Sequence, residues 1–81
     1  MKTRIAVIAI IVENLDVTDD LNRILHDYGS YIIGRMGIPY REKQVSLISV
    51  AVDAPMEVIS ALTGKLGALD GVSVKTAYQK A

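Results

Sequence analysis

Ile5-Ala6-Val7-Ile8-Ala9-Ile10-Ile11-Val12 is the stretch whose reading decides the fold. It holds eight consecutive apolar residues, mostly β-branched, directly after Lys2-Thr3-Arg4. Branched side chains pack well on a pleated surface and lose χ1 freedom in a helix, so the run predicts a strand over about residues 3–12. A strand with one wet face alternates apolar and polar residues. This one does not alternate, so both of its faces are expected to be covered. A chain of 81 residues can cover one face of a sheet with its own helices. The second face is then expected to meet a partner copy.

Working outward, Glu13-Asn14-Leu15-Asp16 predicts a polar turn. Leu21, Ile24, Leu25 and Tyr28 follow at helical spacing and predict a first helix over 17–28. Asp16 or Thr18 is expected to cap it, Asp19 and Asp20 to sit in its first turn, and Gly29 to end it in a left-handed conformation. Tyr31 to Pro39 predicts a second strand with Ile32, Met36 and Ile38 on one face. Gly37 and Pro39 suit an edge position. Tyr40-Arg41-Glu42-Lys43 reads as a connection, and Val45 to Val52 as a third strand placed centrally like the first. Pro55 near a helix start, with Val58, Ile59, Leu62 and Leu66 as the apolar stripe, predicts a second helix ended by Gly67 or Gly71. Gly64 inside that helix implies a close packing contact. Val72 to Tyr78 alternates and predicts a fourth strand.

The order β-α-β-β-α-β implies an α+β, ferredoxin-like fold over residues 1–81 as a single domain. Its sheet would have four antiparallel strands, with two helices on one face.

Composition narrows the function. The absence of cysteine removes disulfides, zinc-thiolate sites and a cysteine nucleophile. Nine basic residues balance nine acidic ones, which disfavours a general nucleic-acid binder, and four Tyr without Phe or Trp are few for base stacking. No segment approaches the roughly 20 apolar residues of a membrane span. The N-terminal run lacks a small-residue cleavage site, so a cytoplasmic location is expected.

Candidate chemistry is sparse. His26, the single histidine, stands beside Asp27 near a helix end. One His without Cys is a poor ligand set, so a surface role is expected and no metal or cofactor. Leu62-Thr63-Gly64-Lys65-Leu66-Gly67 lacks the Ser/Thr and the preceding strand of a phosphate loop. No serine has an evident base, and capping accounts for the carboxylates at 13–20, so no catalytic residues are assigned. The remaining candidate is Gly34-Arg35-Met36-Gly37-Ile38-Pro39-Tyr40-Arg41-Glu42-Lys43. Arg35, Tyr40, Arg41 and Lys43 could hold a small anionic ligand, since arginine forks match carboxylate and phosphate oxygens. The competing reading is a solvated hairpin whose charges guard an edge strand.

Three stretches carry a family likeness: Arg4-Ile5-Ala6-Val7-Ile8, Tyr31 through Glu42, and Ala61 through Gly67 running into Gly71-Val72-Ser73-Val74-Lys75-Thr76. Through them nearly the whole chain resembles the small family of iron-only hydrogenase system regulators. The resemblance implies an ACT-like fold, similar also to the sensing domain of nickel-responsive repressors, and a role near hydrogenase expression or maturation. Amino-acid-binding ACT domains usually carry Asp, Pro and Gly at the turn that here reads Glu13-Asn14-Leu15-Asp16-Val17, so amino-acid binding there is not implied. The nickel ligands of the repressors are absent too, as is any DNA-reading segment. The expected protein is a homodimer or tetramer that takes a small anionic ligand or docks on a regulatory or hydrogenase-maturation partner. Direct contact with nucleic acid or membrane is not expected. The alternative is an interaction subunit without a ligand.

Overall fold

The computed structural model describes residues 2–80; the two ends of the expected 1–81 domain, Met1 and Ala81, lie outside the described residues. The elements are β1 (Arg4–Val12), α1 (Thr18–Asp27), β2 (Ile32–Tyr40), β3 (Val45–Ala54), α2 (Met56–Gly67) and β4 (Val72–Tyr78). They form a sheet of order β2-β3-β1-β4 in which every neighbour is antiparallel. This is the ferredoxin-like fold. β1 and β3, the most continuously apolar strands, take the centre, and β2 lies at an edge.

The period of two along a strand divides β1 cleanly. Ala6, Ile8, Ile10 and Val12 are buried beneath the helices. Val50, Val52 and Ala54 of β3 join them, as do Leu21 and Leu25 of α1 and Ile59, Leu62 and Leu66 of α2. Each such large side chain contributes about 1.5–3 kcal/mol of burial. The alternate residues of β1 project from the opposite face, where Ile5, Val7 and Ile11 are 43–44% exposed. The helices thus cover one face of β1, and the chain itself leaves the other open.

Local chemistry departs from expectation at several points. The turn after β1 tightens into a single 3-10 turn over Leu15–Val17 before α1 begins. Asn14 caps that turn by accepting the Asp16 N–H at 3.0 Å, and Thr18 donates its hydroxyl to the Leu15 carbonyl at 2.7 Å. Neither Asp16 nor Thr18 caps α1, whose N-cap position is held by Val17 without a side-chain bond. Asp19 and Asp20 do lie in its first turn.

Gly29 is not left-handed. The chain runs on through a 3-10 turn at Gly29–Tyr31, so no reversal is needed there. Among the described residues, positive φ occurs at Gln44 (55°), which closes the 3-10 turn Arg41–Lys43 between β2 and β3, and at Gly71 (73°). Gly71 precedes β4, and its carbonyl accepts the Glu13 N–H at 2.7 Å. Gly64 has no atom within 4 Å of where a Cβ would stand, so the close contact expected there is not made.

In β2 a bulge falls between Ile32 and Gly34. A bulge inserts one residue and so changes which face the following side chains take. Ile32 consequently packs against the core, while Met36 and Ile38 project from the open face, rather than all three sharing a side. Lys65, in the last turn of α2, holds its Nζ 5.1 Å from the centre of the Tyr28 ring, a cation–π contact between the two helical segments.

Candidate functional site

Two surfaces compete for the role of site: the β2–β3 hairpin with its basic residues, and the open face of the sheet.

The bulge decides the fate of the hairpin residues. Arg35 pairs across from buried Val50 and so stands on the helix side, where its Nη2 donates to Asn22 Oδ1 of α1 at 3.1 Å. Tyr40 pairs with Val45 and stands on the open side at the far end of the strand. Tyr40 lies five positions further along the strand than Arg35, roughly 17 Å at the usual rise. Tyr40 donates its hydroxyl to Glu42 Oε2 at 3.1 Å. Arg41 and Lys43 follow in the exposed 3-10 turn. Tyr40, Arg41 and Lys43 are therefore close together in the hairpin tip, and Arg35 is apart from them.

Arg35 instead borders a cleft of about 390 Å³ between the end of α1 and the start of β2, shared with Asn22, His26, Gly29 and Ile33. His26 is exposed there. No group of three or more His, Cys, Asp or Glu side chains able to hold a metal ion occurs among the described residues. Periodicity alone does not reveal the Arg35–Asn22 bond, because it depends on a bulge that Ile33 and Gly34 introduce without a sequence signal of their own.

The open face is built by alternation. β1 contributes Ile5, Val7 and Ile11, β2 contributes Met36, Ile38 and Tyr40, and β3 contributes Leu47, all exposed. Ile11, Met36, Ile38, Leu47 and their neighbours border a shallow concavity of about 240 Å³. Single exposed apolar residues are ordinary, but a contiguous apolar face marks an interaction surface. Its signal in the sequence is the missing alternation of β1. The contribution of β2 was hidden by the bulge. No helix among the described residues is long and apolar enough to cross a membrane.

Comparison with known proteins agrees with this architecture. The structure of the uncharacterized protein TM1266 from Thermotoga maritima superposes with a TM-score of 0.93 at 32% identity, covering 98% of this chain and 100% of that one. A formyltetrahydrofolate deformylase from Pseudomonas putida KT2440 shares the fold at a TM-score of 0.65 and 15% identity; the likeness covers 90% of this chain and 28% of the deformylase. An unknown protein from Galdieria sulphuraria does so at 0.65 and 14%, over 99% of this chain and 47% of that one. At these low identities the last two likenesses concern the fold alone. No curated protein matches the chain significantly. Residues 4–76 match the model of the TM1266-like family, described as "Iron-only hydrogenase system regulator, putative", and the chain belongs to that family.

Proposed function

We propose that the chain is a cytoplasmic, non-enzymatic ACT-like regulatory module, a single domain over 1–81, that works as a homo-oligomer in the iron-only hydrogenase system. It has no DNA-reading element of its own and acts through a small anionic ligand or a partner protein. The observation that carries the reading is the open face, where Ile5, Val7, Ile11, Met36, Ile38 and Leu47 stand exposed on a sheet whose other side is packed.

A second copy is the occupant that suits this face. The strand residues on it include one acid, Asp53, and one base, Lys75, by their register with Ile5 and Ala9. A two-fold pairing of such faces buries apolar surface and brings no net charge into the interface. Light scattering across micromolar concentrations tests it. A dimer or larger mass is expected, and a monomer throughout the range overturns the assembly.

The hairpin residues Arg35, Tyr40, Arg41 and Lys43 are the proposed ligand contacts. A second copy set against the open face would bring further side chains toward Tyr40 and the hairpin tip. The separation of Arg35 from the tip favours a second reading, an interaction subunit without a ligand. A thermal-shift screen of anionic metabolites separates the two. A hit lost in Arg35→Ala with Arg41→Ala supports the sensing module. The absence of any hit supports the interaction subunit.

A further inference from the structure

Three cations gather at the end of the sheet remote from the hairpin tip. Lys2, Thr3 and Arg4 lead into β1, Gln79 and Lys80 leave β4, and Met56 opens α2; together they line a hollow of about 310 Å³.

The backbone explains their convergence. Gln79 donates its N–H to the Ile5 carbonyl at 2.8 Å, and its side-chain Oε1 accepts the Ile5 N–H at 3.2 Å. This pair of hydrogen bonds carries the chain past the last residue of β4 and sets Lys80 beside the start of β1. Arg4 shares strand parity with Ala6 and Ile8, so it stands on the helix side of the sheet, half-buried. With Oε1 occupied, the Gln79 amide NH2 remains a donor.

Gathering like charges works against folding. Among the described residues the single ion pair is Arg23–Asp20, and none of their carboxylates lies within ion-pair distance of Lys2, Arg4 or Lys80. The Pro55 N-cap of α2 makes no side-chain bond, and the first-turn N–H groups beside it add positive potential that Glu57 of the same turn partly offsets. An arginine fork, two ammonium groups and neutral donors from Thr3 and Gln79 make a set suited to phosphate oxygens.

We propose that this hollow binds a phosphate-type anion with at least two negative charges, the diphosphate group of a free or nucleotide-borne ligand. The site is separate from the hairpin residues and does not rest on the function proposed above.

The test is a titration of the full-length, isotope-labelled protein with sodium pyrophosphate at constant ionic strength, followed by amide NMR. Saturable shifts are expected at Thr3, Arg4, Met56 and the Gln79 side chain. Arg4→Gln with Lys80→Gln is expected to weaken binding about tenfold or more, because it removes two of the three charged donors. Arg23→Gln, at an exposed arginine of α1 away from the hollow, should leave it unchanged, and shifts at Thr3, Arg4, Met56 and Gln79 rather than at Arg35 and Arg41 separate this site from the hairpin. A parallel titration with ADP distinguishes the sources: tighter binding than pyrophosphate identifies a nucleotide, equal binding a bare diphosphate. Shifts that never saturate, or that persist undiminished in the folded double variant, overturn the proposal. Should the double variant fail to fold, exposed Lys80→Gln alone serves, with a several-fold weakening expected and unchanged affinity counting against the site.

Discussion

Gly71 and Asn14 are packed so closely that a Cβ on Gly71 would stand 2.6 Å from the Asn14 Cβ and 2.9 Å from its backbone nitrogen. The same two segments are bonded through Glu13 N–H to the Gly71 carbonyl and through Asn14 Nδ2 to Asp70 Oδ2 at 3.2 Å. The turn that leaves β1 and the turn that enters β4 are thus seated on one another. Gly71→Ala adds a methyl into backbone and imposes a left-handed conformation on an L side chain. The expected loss is about 2–5 kcal/mol of stability, combining strain and overpacking. Urea denaturation at constant m checks it, and a loss under about 1 kcal/mol would show that the turn relaxes freely.

Gly64→Ala makes the opposite case. Its Cβ would meet open space in the interior of α2, where glycine carries an entropic penalty. A gain of about 0.5–1 kcal/mol is expected from the same denaturation series. A loss would show that a neighbouring copy already uses that surface.

Asn14→Ala removes the acceptor for the Asp16 N–H and the donor to Asp70. Caps of this kind contribute about 0.5–2 kcal/mol. Asp16→Ala, which caps nothing through its side chain, should change stability by no more than about 0.5 kcal/mol. Thermal melts of the two variants side by side test the assignment, and a larger effect at Asp16 would reverse it.

Leu62→Ala excavates the core between α2 and the sheet. Leu62 is fully buried, so the cost is expected at about 2–5 kcal/mol, transfer and cavity together. Val7→Lys, on the open face, is expected to behave differently. It should leave the melting of the single chain nearly unchanged while lowering the mass seen by sedimentation. A Val7→Lys protein that keeps its assembled mass would remove the open face from the interface.

Much of this could be read from side-chain character alone. The β-branched run at 5–12 named the central strand. The stripe Val58, Ile59, Leu62 and Leu66 named the packed face of α2. Pro39 and Gly37 placed β2 at the edge. Less legible were features set by three-dimensional closure. The cap at Asn14 depends on a 3-10 turn that no periodicity announces. Arg35 changes side because one extra residue enters β2, and a count of every second residue cannot register that insertion. The meeting of Lys2 and Arg4 with Lys80 joins opposite ends of the chain, and it exists only because β1 and β4 pair.

The bulge and Pro39 on β2 have one more effect, on how large an assembly can grow. The outer rim of a sheet is a template on which further strands can dock without limit, yielding fibres. Here that rim is kinked at Ile33 and lacks an amide hydrogen at Pro39. Docking of strand after strand is frustrated along β2, while the broad apolar side of the sheet stays available. Copies that meet face to face satisfy one another and stop, so this geometry favours a finite, countable particle over a polymer.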